Sequence, residues 1–153
     1  MSPVRFLTLV LALWFFAGPA TAVGPLKDIP VEQDTSNARY AADLVGDDEP
    51  KRLYAARVLL RRVRTAWRLA VRDDADIRTI EARQTLSEFD ELVAPRCIRQ
   101  LTVRSTVKTC AKILGLLETQ AALSTLEEQL NTAQKRRTQR ALRRAIERVE
   151  GAQ

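Results

Sequence analysis

The sequence predicts an all-α chain, built as a short α-solenoid of stacked antiparallel helix pairs. Three observations point there. A helical pair is written almost twice: residues 103–130 read VRSTVKTCAKILGLLETQAALSTLEEQL and residues 76–101 read DIRTIEARQTLSEFDELVAPRCIRQL. Each has the pattern of a helix, a short turn and a second helix, and internal repeats of this length mark a solenoid. Glycine and proline are scarce after Pro50, with only Pro95, Gly115 and Gly151 remaining, while alanine, leucine, arginine and glutamate dominate. Those four are good helix formers apart from their surroundings. Alternating β-branched runs are absent from the same stretch, so the strand period of two is missing.

The elements follow in chain order. Residues 1–22 read as a signal peptide outside the folded domain. Arg5 supplies a weak positive start, FLTLVLALWFFA at 6–17 is an apolar run, and Gly18 and Pro19 break it. Ala20-Thr21-Ala22 then has the small-x-small form of a cleavage site. The run is too short to cross a bilayer, which takes about 20 residues, and no cysteine follows it to carry a lipid. Cleavage near Ala22 predicts an exported chain, periplasmic or extracellular, with no integral membrane span left. Residues 23–35 hold two prolines, one glycine and no helical period, which reads as a flexible lead segment.

A helical repeat domain is expected over 36–150. Its first helix, 36–45, stops at Gly46. The acidic turn Asp47-Asp48-Glu49 and Pro50 then open a helix over about 50–71, because carboxylates and an early proline favour a helix start. On it Leu53, Ala56, Leu60, Val63, Trp67 and Ala70 recur every three or four residues as one buried stripe. A second acidic turn, Asp73-Asp74-Ala75-Asp76, opens a helix whose apolar residues are Ile77, Ile80, Leu86 and Phe89. A shorter helix near 93–101 starts around Pro95. Helices over 105–117, 120–130 and 135–150 complete the domain. On the last, Leu142, Ala145, Ile146 and Val149 face inward while six arginines cover the remainder. That is the polar outer face a terminal unit of a solenoid needs.

These segments resemble HEAT-like repeats, particularly the short bacterial type also found in phycobilisome lyases. The residues that carry the resemblance are Val107-Lys108 and Ala111-Lys112-Ile113-Leu114-Gly115-Leu116-Leu117, then Ala121-Ala122-Leu123 through Leu126 and Leu130. The preceding copy supplies Ile77-Arg78, Leu86, Phe89, Val93-Ala94-Pro95, Ile98 and Leu101. Residues 50–63 look like the second helix of an earlier repeat, although 50–71 is longer than that helix usually is. The resemblance implies three to four helix pairs and a scaffold that binds partners through one helix layer.

Cys97 and Cys110 are the only cysteines. The repeat reading puts them on facing helices of one hairpin, with a turn near 102–104 between them. In an oxidising compartment a structural disulfide is expected, worth about 3 kcal/mol for a loop of that size. A redox pair fits less well, since such pairs usually sit two residues apart beside a charge. Two cysteines without histidine also make a poor zinc site.

The chain has no histidine, which removes Ser-His-Asp and Cys-His catalysis and the commonest general base. It has no glycine-rich phosphate loop and no GxSxG elbow. The acidic turns lack the alternating ligands and central glycine of a calcium loop and read as helix caps. No catalysis, metal or cofactor is expected.

Charge is the remaining signal. The net charge is +6, and between Lys51 and Arg72 there are eight basic residues and no acidic one. Arg57, Arg61, Arg64 and Arg68 form one helical stripe, and Arg137, Arg140, Arg144 and Arg148 form another. Like charges at these spacings repel by a few tenths of a kcal/mol per pair, so a stripe does nothing for its own helix. Arginine's planar fork does suit carboxylates and phosphates. The expected function is therefore an exported, non-catalytic HEAT-like scaffold that binds a protein with an acidic surface through Arg57, Arg61, Arg64 and Arg68. One alternative is a peripheral envelope protein holding anionic lipid or lipopolysaccharide headgroups. Another is a plain solvated face, offset by Glu81, Glu88, Glu91, Glu127 and Glu128. Nucleic acid would match the charge but not export.

Overall fold

Helix starts are a local feature of this chain, and the first two stand where a capping side chain puts them, whereas Asp76, expected to cap from the second acidic turn, makes no side-chain cap bond. In the structure, a computed structural model, residues 36–72 and 76–152 are described. The expected signal peptide, the lead segment and Asp73-Asp74-Ala75 lie outside the described residues. Helix α1 (Asn37–Val45) begins at Ser36, whose hydroxyl accepts the Arg39 amide at 3.2 Å. Helix α2 (Glu49–Ala70) begins at Asp48, whose carboxylate accepts the Lys51 amide at 3.1 Å, with Pro50 in the first turn. That amide bond, aided by the Lys51 ammonium, holds the Asp48 carboxyl below its ordinary value.

Then follow α3 (Ile77–Gln100), α4 (Val107–Leu117), a 3-10 turn (Gln120–Ala122), α5 (Leu123–Thr132) and α6 (Arg136–Gly151). Among the described residues there is no strand, and the all-α expectation holds. Glu118 takes the left-handed conformation (φ 56°) that closes α4, so the clear copy at 103–130 does fold as helix, turn, helix.

The looser copy does not. Residues 77–100 form one unbroken helix, with Pro95 inside it. Proline there lacks the amide hydrogen that would bond the carbonyl of Glu91, and locally this favours a break. Val93, Ala94 and Cys97 are all buried in the core around it, and that burial holds the backbone helical through the proline. The Arg96 guanidinium donates to the adjacent Leu92 carbonyl.

Helix α3 turns two of its apolar residues outward. Its inward face carries Thr79, Ala82, Phe89, Val93 and Cys97, whereas Ile77 and Ile80 are 68% and 57% exposed. Each isoleucine sits two residues before an inward position, a rotation of roughly 200° on a helix. On α2 the buried arc is wider than one stripe. Ala56, Val63 and Ala70 are buried as expected, but so are Ala55, Leu59 and Ala66, while Leu53, Leu60 and Trp67 are half-buried. The reason is that α2 packs against α1, α3 and α4 together.

Helix α4 sits at the centre, touching α2, α3 and α6, and seven of its 11 residues are buried. At its crossing with α6, a Cβ on Gly115 would stand 2.7 Å from the Ala145 Cα. Only glycine allows that approach, and it brings the arginine face of α6 alongside α2. Ala141, Leu142, Ala145 and Val149 are the buried face of α6, while Ile146, also expected to face inward, is half-buried. The α5–α6 corner is tied by Gln139 Nε2, which donates to the Ala133 carbonyl at 2.6 Å.

Candidate functional site

Three helices contribute one row of cations each to a single groove. Arg64 and Arg68 on α2 are one turn apart, as are Lys108 and Lys112 on α4, so each pair shares a helix face. Arg137, Arg140, Arg144 and Arg148 recur along α6 with one cation per turn. Because α4 packs on both α2 and α6, the three rows converge. The groove has a volume of about 540 Å³ and is lined by these eight cations, with Trp67, Gly115, Leu116, Ala141 and Ala145 between them. All eight charged side chains are exposed, whereas Gly115, Leu116, Ala141 and Ala145 are buried beneath them as an apolar floor.

The electrostatics are unbalanced. No carboxylate among the described residues lines the groove. Among the described residues the ion pairs are Arg39–Asp43 and Lys51–Asp48, both remote from it. Arg148 is held instead by an aromatic face, its guanidinium carbon 5.1 Å from the centre of the Trp67 ring. Such a contact is worth about 0.5–1 kcal/mol at an exposed site, and here it spans from α6 to α2. Lys112 feels the crowding. The groove walls strip part of its hydration, and Lys108, Arg64 and Arg144 add like-charge repulsion, so its ammonium is held below its ordinary pKa.

The stripe singled out on α2 is therefore divided. Arg64 and Arg68 line the groove, while Arg57 and Arg61 are exposed on the same helix outside it. All four arginines of the α6 stripe enter it. Lys108 and Lys112 are the residues that sequence reasoning missed as site residues. Their i, i+4 spacing beside the apolar face of α4 was a visible signal, but it belonged equally to the repeat pattern. The acidic residues expected to offset the stripe, Glu81, Glu88, Glu91, Glu127 and Glu128, are exposed and none lines the groove.

Cys97 and Cys110 meet in the core as thiols, both fully buried, on α3 and α4. The hydrogen bond between the thiols, together with burial, pushes Cys97 well above its ordinary pKa, the opposite of a reactive thiolate. The turn between them is held by Thr106, whose hydroxyl donates to the Gln100 carbonyl at 3.1 Å. Among the described residues, no group of histidine, cysteine, aspartate and glutamate could hold a metal ion. No described helix is long and apolar enough to cross a membrane.

An arrangement of this kind can hold an anion. Comparison with models of known families, with characterised proteins and with solved structures returns no match for this chain.

Proposed function

We propose that this protein is an exported, non-catalytic helical-repeat scaffold that binds an acidic protein partner in the α2–α4–α6 groove. The observation that carries the reading is the convergence of eight cations from three helices on one groove without a carboxylate among them. A merely solvated basic surface has no need to be concave or to share an apolar floor. A HEAT-like arrangement of three helix pairs, α1 with α2, α3 with α4 and α5 with α6, is supported by the packing. Each substantial contact joins helices one or two apart in chain order, as in a quasi-one-dimensional stack.

The test is affinity capture from an envelope extract. The bait is the native protein, a groove variant (R64E, R68E, R144E, R148E) or a control variant outside the groove (R57E, R61E). The expected outcome is one discrete acidic protein, lost with the groove variant and kept with the control. Recovery of lipid alone, abolished by moderate salt, would instead match headgroup attraction under screening and would reject the protein-scaffold reading. Export carries its own expectation. The adjacent Cys97 and Cys110 thiols become a disulfide, and the unreduced mature protein is two hydrogens lighter than the reduced one. Two free thiols in the unreduced mature protein, taken from the compartment it is exported to, would end that idea.

A further inference from the structure

We infer that the occupant of the groove is an extended, carboxylate-rich peptide segment, lying along α6 with its backbone over the small-residue floor. This rests on the functional reading above and adds the conformation and chemistry of the partner.

The two walls point to the conformation. From Arg137 to Arg148 the α6 wall runs roughly 16 Å, at 1.5 Å per residue. Cations line the groove on both sides, Arg64 and Arg68 on one and the α6 arginines on the other, which matches a chain that presents carboxylates to both sides. An extended chain rises about 3.3 Å per residue, so about five residues span the groove.

The walls select the side chains. Successive side chains of an extended chain point to opposite sides. Here one side is Arg64 and Arg68, and the other is the α6 arginines, so acidic residues are matched in either direction. Each guanidinium fork donates two parallel N–H bonds to the two oxygens of a carboxylate. The floor selects a peptide over a phosphate chain. Ala141 and Leu116 keep a little surface at the bottom of the groove, where a peptide backbone between the walls meets apolar contact and no large side chain. A strongly hydrated phosphate chain gains nothing from that floor. The crowding around Lys112 means that carboxylates relieve a repulsion the fold itself leaves standing.

The experiment is calorimetric titration of the full chain with three probes: a terminally blocked hexaglutamate, tripolyphosphate, and an acidic peptide stapled as a helix. The expected result is saturable one-site binding of hexaglutamate. It weakens roughly tenfold or more in the charge-neutral variant R64Q/R144Q and is unchanged in R57Q/R61Q. Melting curves of the variants check that they fold, and all four residues are exposed. Groove-dependent binding of the stapled helix in preference to hexaglutamate would overturn the extended conformation. Groove-dependent binding of tripolyphosphate alone would overturn the peptide and leave an anion groove standing. Failure of all three probes would overturn both this inference and the functional reading beneath it.

Discussion

Arg62 and Arg64 lie two residues apart on α2 and meet opposite fates. Arg62 turns back to α1, where its guanidinium donates to Asn37 Oδ1 at 2.5 Å and lies 5.0 Å from the centre of the Tyr40 ring. Nearby, Arg52 donates to the Gly46 carbonyl at 2.8 Å. Arg64 instead opens on the groove, where its neighbours are Lys112 and other cations. The two residues differ by roughly 200° of helix rotation and by nothing else in type. Where α2 faces α1, acceptors and an aromatic ring absorb the charge into the fold. Where it faces α4 and α6, the described residues that line the groove include no carboxylate to do so. An arginine's role on this helix is set by what the neighbouring helix offers.

The comparison breaks most severely if the groove loses a wall. Leu142 is fully buried on the inward face of α6, and Leu142→Ala is expected to cost about 2–5 kcal/mol in chemical denaturation. Anion binding should weaken with it, because α6 carries half of the groove's cations. Undiminished binding in a clearly destabilised variant would mean that α6 does not form the site.

Gly115→Ala comes next. Its added Cβ would meet the Ala145 backbone at 2.7 Å, where no flexible side chain can yield, and overpacking of this kind costs about 1–3 kcal/mol. A melting temperature equal to the native one would deny the close crossing of α4 and α6.

The two arginine environments can then be set against each other directly. Arg62→Ala removes a hydrogen bond and a cation–π contact, an expected loss of about 1–2 kcal/mol. Arg68→Ala should stay within about 0.5 kcal/mol, since Arg68 has no carboxylate partner among the described residues, yet it should weaken hexaglutamate binding. Equal destabilisation by the two would erase the distinction between them.

The smallest effect is a pH dependence. Lys112 is held below its ordinary pKa of 10.5 in the folded state, so in the window between that lowered value and 10.5 the unfolded chain binds the proton more tightly. The contribution of Lys112 to stability therefore rises with pH through that window. Below the window its penalty is constant. Unfolding free energies of the native protein and Lys112→Met, compared from neutral pH to about 10.5, should differ by this rise. Parallel curves would mean that the crowding at Lys112 has no energetic consequence.

How much of this was legible depends on how local each feature is. Asp48 as a cap, Gly46 as a stop and the helix-turn-helix at 103–130 were all readable, because capping and period 3.6 are decided within a few residues. The unbroken α3 was not. Pro95 signals a break to its immediate neighbours, and only the burial of Val93, Ala94 and Cys97 overrides it. Ile77 and Ile80 are apolar, but their angular offset from Phe89 and Ala82 puts them in water.

By itself, then, the sequence determined that this protein is helical, where most of its helices begin, and that each of two helices carries a stripe of arginines. It determined that Cys97 and Cys110 would meet across one turn, since a hairpin between them leaves little freedom. Tertiary structure alone decided which charges gather. Arg64, Lys112 and Arg144 are far apart in the chain, and no local rule connects them. They face one another because α4 packs on α2 and α6 at once and because Gly115 admits Ala145 to close contact. That packing is driven by buried apolar side chains such as Leu114 and Leu142, which place the charges without regard to their mutual repulsion.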